Sequence, residues 1–197
     1  MYTNLHLVAG GGGGTGMVEL LEEDDVTFTC NADHIHRWSH KRPDMFPQAK
    51  RLSLLLDEWH ATLRRPNLGR EALFDALART GNIGFTTLVD VTADDPGRFR
   101  SKLWGSHLIS GDNFARDVCV KDLPKVLSKW VQAEYLTCKV TGVPNFQEIT
   151  WSVKGEQRDM YRLLLPLSLD SGSIDHLVSS VVYKKPALYE SLAYVKA

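Results

Sequence analysis

From Gln48 onward the chain alternates apolar and polar positions, with a period that changes along its length. Leu52, Leu55, Leu56, Trp59 and Leu63 recur at spacings of three and four, with Lys50, Arg51, Asp57, Glu58 and Arg64 between them. That spacing predicts an amphipathic helix, closed by Pro66 and the turn residues Asn67 and Gly69. A second helix is predicted over Arg70 to Arg79, with Leu73, Phe74 and Leu77 on one face and Gly81 as its stop. The period then shortens to two. Phe85 to Val91 is rich in Thr and Val, and Phe99, Ser101 and Leu103 alternate with Arg98, Arg100, Lys102 and Trp104. Ala93-Asp94-Asp95-Pro96-Gly97 separates them, so the two segments read as a hairpin. Residues 105 to 120 read as loops with a short helix. Leu123, Val126, Leu127, Trp130, Val131, Tyr135 and Cys138 mark a longer helix, with Asp122 as its N-cap and Gly142 as its stop.

Three further strands follow: Phe146 to Val153, the dense apolar run Met160 to Leu167, and Ile174 to Tyr183, with turns at Gly155-Glu156 and Asp170-Ser171-Gly172. Strands joined by tight turns pair antiparallel, so the expected class is α+β rather than a doubly wound parallel sheet.

Composition narrows the class without naming a function. With 197 residues, 43% hydrophobic and 24% charged, the chain is neither collagen, a disordered tail nor a disulfide-built mini-protein. The 23 Lys+Arg stand against 24 Asp+Glu, so no basic surplus points to nucleic acid. A patch around His36, Arg37, His40, Lys41 and Arg42 is short. Cys30, Cys119 and Cys138 are widely spaced and odd in number, which fits a reducing compartment. Met1 to Ala9 lacks a basic n-region, and apolar stretches such as Leu163 to Leu167 and Leu177 to Tyr183 fall far below the roughly 20 residues of a membrane span. A cytoplasmic protein meeting neither nucleic acid nor membrane is the expectation.

Arg98-Phe99-Arg100-Ser101-Lys102-Leu103-Trp104-Gly105-Ser106-His107-Leu108, preceded by the Leu88 to Val91 strand and its acidic turn, is similar to the core of a PAS-like domain. The later run Tyr161-Arg162-Leu163-Leu164-Leu165-Pro166-Leu167-Ser168, then Asp170-Ser171-Gly172, Ile174-Asp175 and Val181-Val182-Tyr183, extends the match. Together these segments, over roughly residues 50 to 185, resemble small bacterial PAS-like proteins with one such domain and no recognisable output module. The resemblance implies a five-stranded antiparallel sheet with helices on one face and a ligand cavity between them. It implies a sensory or regulatory module that binds a small molecule, or contacts a protein partner or a second copy, and that does no catalysis. On that basis the chain divides into a glycine- and His-rich extension (1–46), read as flexible, a PAS-like domain with its N-terminal helix (47–185), and a tail (186–197).

Candidate chemistry lies mostly outside that core. Gly11-Gly12-Gly13-Gly14-Thr15-Gly16 satisfies GxGxxG after a candidate strand Leu5 to Ala9, with Asp33 near the distance expected of a ribose-binding carboxylate. A nucleotide-dependent enzyme using this loop is one alternative. Against it, Met17 to Glu23 gives barely two helical turns and no βαβ pattern continues. A flexible lead-in is the simpler reading. Cys30, His34, His36 and His40 are weak candidates for metal, because their spacing fits no common zinc module. No cofactor is expected. The long helix holds no histidine to ligate a haem, although His107 follows Gly105, and the Asn-Cys-Arg-Phe-Leu motif of flavin photochemistry is absent around Cys119. Phe99, Leu103, Trp130, Trp151 and Tyr161 are candidate lining for a ligand cavity, with simple core packing as the alternative. The stripe Leu52, Leu55, Leu56, Trp59 and Leu63 is the candidate dimer helix, since N-terminal helices of PAS proteins commonly pair between subunits. A ligand-free scaffold is the third alternative.

Overall fold

A computed structural model describes residues 6–7, 18–19, 25–30, 33–40, 42–106, 118–123, 125–153 and 156–184, with the backbone alone at 6–40, 103–104, 125–127, 151–153 and 156–158. In chain order it contains β1 (His6–Leu7), β2 (Val18–Glu19), β3 (Asp25–Cys30) and β4 (Asp33–His40). These are followed by α1 (Lys50–Glu58), α2 (Arg70–Arg79), β5 (Thr86–Asp90), β6 (Arg100–Trp104) and β7 (Val118–Cys119). Last come α3 (Lys125–Thr141), β8 (Asn145–Val153), β9 (Glu156–Leu167) and β10 (His176–Tyr183). β1 and β2 pair as a two-stranded ribbon, and the remaining strands form one eight-stranded antiparallel sheet in the order β3-β4-β8-β9-β10-β5-β6-β7.

The five strands expected from the hydrophobic pattern lie contiguously in this sheet, as β8-β9-β10-β5-β6. β3, β4 and β7 widen it beyond the five that the resemblance implies. The first two come from the segment read as a leading extension. Val26, Thr27, Phe28 and Thr29 in β3, and Ile35 and Trp38 in β4, are residue types that favour strands, and β4 pairs with β8 from Ile35↔Trp151 to His40↔Phe146.

The helices depart further from expectation: they cover both faces. On one side α1 and α2 pack Leu52, Leu55, Leu56, Trp59, Leu63, Leu73 and Leu77 against Leu88, Phe146, Tyr161, Leu163, Leu165, Val178 and Val182. On the other, α3 packs Trp130, Val131, Tyr135 and Cys138 against Val89, Ile149, Met160, Leu164, Leu177 and Val181. Odd and even residues of β9 therefore enter different cores, which is why Met160 to Leu167 reads as one dense apolar run rather than an alternation. Each fully buried Leu contributes about 1.5–3 kcal/mol.

Local chemistry fixes the joints. α1 runs on into a π turn, Trp59–Leu63, where the indole N–H of Trp59 donates to the carbonyl of Pro166 at 2.8 Å. α2 ends at Gly81 (φ 69°), with Asn82 N–H bonded to Leu77 O at 2.8 Å and Gly81 N–H to Ala78 O at 3.0 Å. Asn82 is wholly buried, and its side-chain amide donates to Arg51 O at 2.9 Å while its Oδ1 accepts from Ser180 at 3.0 Å. It thereby ties α1, the end of α2 and β10 together. A Cβ at Gly105 would overlap the backbone of Gly84 and Phe85, so the glycine of the Leu-Trp-Gly-Ser segment is a steric requirement. Among the described residues no helix is long and apolar enough to cross a membrane.

Candidate functional site

Three polar side chains meet inside the apolar layer between α3 and the sheet. Gln147 of β8 and Arg162 of β9 are direct cross-strand partners, and Glu134 of α3 lies over them. Gln147 Nε2 donates to Glu134 Oε1 at 2.6 Å, the Arg162 guanidinium donates to Gln147 Oε1 at 2.7 Å, and it also pairs with the Glu134 carboxylate. All three are buried, Gln147 completely. The guanidinium carbon sits 4.6 Å from the centroid of the Trp130 ring, one helical turn before Glu134, and Arg162 Nε has no hydrogen-bond partner among the described residues.

Burying two opposite charges costs more solvation than their attraction returns unless every remaining donor and acceptor is satisfied. Apolar residues of similar volume would hold the same layer together as well or better. The neighbouring groups are polar but inert. Burial pushes the Tyr135 phenol up to about 12 against an opposing hydrogen bond with Ser179, and pushes the Cys138 thiol up to about 12 as well. Neither is a ready nucleophile at neutral pH.

The residues singled out in the sequence are distributed differently from expectation. Phe99 and Trp130 are buried in the α3-side core, whereas Tyr161 belongs to the α1-side core, so the sheet separates them and they cannot line one cavity. The side chains of Leu103 and Trp151 lie outside the described residues. Leu52, Leu55, Leu56, Trp59 and Leu63 are all buried against their own sheet, so the apolar stripe expected to face a second subunit is filled within the chain. His34, His36 and His40 fall in β4, and their side chains, like that of Cys30, lie outside the described residues. So do Gly11 to Gly16. The segment after those glycines, Val18–Glu19, is a strand paired back onto His6–Leu7, where a dinucleotide fingerprint requires a helix.

Asp170, Asp175 and His176 have donor atoms within 4.8 Å of one another. The Asp175 carboxylate is already engaged on both oxygens. Oδ1 accepts from Leu169 N–H and lies 2.8 Å from His176 Nδ1. Oδ2 accepts from Asp170 N–H, Ser171 N–H and Ser171 Oγ–H within 2.9 Å. Burial raises this carboxyl, but these bonds, led by that from Leu169, outweigh it and hold the group well below the usual carboxylate range. Its role is to anchor the β9–β10 turn.

Pattern reading passed over Glu134, Gln147 and Arg162, although each breaks an apolar period. Glu134 lies on the buried stripe of α3, Gln147 shares its strand face with Ile149, and Arg162 interrupts the run Met160 to Leu167. No protein-family model, curated protein or solved structure matches this chain.

Proposed function

We propose that the chain is a sensory or regulatory PAS-like module that takes a small molecule against the α3 face of its sheet and acts on a partner by contact, without catalysis of its own. The observation that carries this reading is the Glu134–Gln147–Arg162 cluster, a hydrogen-bonding group of opposite charges in a layer whose packing has no need of it. Two further features support it. Five contiguous antiparallel strands come from the stretch that carries the PAS resemblance. The buried thiol and phenol beside the cluster are held protonated, which suits binding better than nucleophilic chemistry. Since the apolar stripe of α1 is occupied, the partner is met by another surface.

The test is to denature the purified full chain and identify released small molecules by mass spectrometry. One compound in stoichiometric amount is expected from the wild type and none from the folded Arg162→Met/Glu134→Leu double variant. Equal recovery from both, or none from the wild type, would overturn the reading.

A further inference from the structure

A second site lies at the rim of the sheet, away from the buried cluster. Asp90 at the end of β5, Thr92 and Ala93 beyond it, Arg98 in a 3-10 turn, Arg100 at the start of β6, Cys119 in β7 and Lys121 just after line a cleft of about 490 Å³. That volume is in the range that accommodates a small-molecule ligand, roughly 300–1,000 Å³. The walls are fixed by backbone. Asp95 Oδ1 caps the Pro96–Arg98 turn by accepting from Gly97 N–H at 2.9 Å. Arg100 pairs with Cys119 across β6 and β7, and Val120 N–H donates to Phe99 O at 2.9 Å. Phe99, which separates the two arginines in sequence, is fully buried in the α3-side core.

The charges are unbalanced. Among the described residues, Arg98 and Lys121 bring two cationic side chains to the cleft beyond Arg100, which has a partner of its own, and the Asp90 carboxylate there is already engaged. Asp90 Oδ1 accepts from Thr92 N–H at 2.9 Å and from Thr92 Oγ–H at 2.7 Å, while Oδ2 faces Lys102 at 3.9 Å. Among the described residues neither Arg98 nor Lys121 makes an ion pair or a side-chain hydrogen bond. Several other basic side chains of the described surface find carboxylates: Arg42 with Asp44, Arg70 with Asp170, Arg79 with Glu58 and Lys184 with Glu148. Like charges gathered in one concavity concentrate a positive potential that a multiply charged anion relieves, and guanidinium groups match tetrahedral oxyanions by paired N–H donors.

We infer that this cleft binds a small molecule through a phosphate group, held by Arg98 and Lys121. The site is separate from the α3-side cluster and does not depend on the reading of that cluster. The experiment is calorimetric titration of the full chain with inorganic pyrophosphate, and with citrate as a polycarboxylate of comparable charge. One pyrophosphate per chain is expected, weakening as salt rises. Binding should fall about tenfold or more in Arg98→Gln/Lys121→Gln, since two charge-assisted bonds are lost. Both side chains are exposed, so an unchanged circular dichroism spectrum and melting temperature confirm that the variant is folded. Arg64→Gln/Arg65→Gln, on another exposed turn, serves as the control and should bind as the wild type does. No pyrophosphate binding, equal binding by the cleft variant, loss in the control as well, or citrate binding as tightly as pyrophosphate would overturn the proposal.

Discussion

Arg162 stands between Tyr161 and Leu163 in the dense apolar run Met160 to Leu167, with its charge turned into the α3-side layer and not toward water. Its energetics follow from its partner. Arg162→Met leaves the Glu134 carboxylate buried without its cation and should destabilise the fold by about 3–5 kcal/mol. Combining it with Glu134→Leu removes both charges and should restore part of that loss, the buried Gln147 amide being left without its two partners. Urea denaturation of the two variants measures the difference; a double variant no more stable than the single one would show that the pair stabilises the fold on its own account.

Asp175 makes a separate prediction about acid. Its folded pKa lies below the unfolded value of about 3.9, so its contribution is present above that pH and is lost as pH falls through the folded value. Asp90, where Thr92 outweighs the effect of burial, and Glu58, bonded by Thr62, shift in the same direction and add to the same limb. Asp175→Asn should lower stability at neutral pH by about 1–3 kcal/mol and flatten the acid limb below about pH 4. Denaturation midpoints measured across that range check both.

At the scale of elements, the sequence announced most of what the backbone does. The three- and four-residue spacing from Leu52 to Leu63, the stop at Gly81 and the helix ending before Gly142 were all legible, because periodicity and left-handed glycines are local signals. What those faces pack against is a non-local matter. The stripe on α1 reads the same whether it meets a second subunit or its own sheet. Likewise β3 and β4 offer residues that favour strands, but only β8 supplies their neighbour. Gly105 is a further case: its sequence gives no hint that the backbone of Gly84 and Phe85 passes so close. Gly105→Ala should therefore cost about 1–3 kcal/mol through overpacking, whereas Gly69→Ala meets open space and is strained only by its φ of 78°. Thermal unfolding of Gly105→Ala tests this, and an unchanged melting temperature would contradict the contact.

For the molecule as a whole, an antiparallel sheet buried on both faces explains why β9 and β10 are apolar at both parities and why α1 has no stripe to spare. It also makes the few interior polar groups conspicuous. The Asn82–Thr86–Ser180 network joins elements and is hydrogen-bonded throughout, so it reads as architecture. The Glu134–Gln147–Arg162 cluster leaves Arg162 Nε unpartnered among the described residues, and it is here that we propose a small molecule is met. The candidate site was illegible from pattern alone because its three members lie in three elements and share only a break in apolar period. Native mass spectrometry of the full chain tests the central claim most directly. The account predicts a species heavier than the bare protein by one small molecule per chain, with the added mass missing in folded Arg162→Met/Glu134→Leu; a bare protein mass for the wild type, or an added mass that survives in the variant, would contradict it.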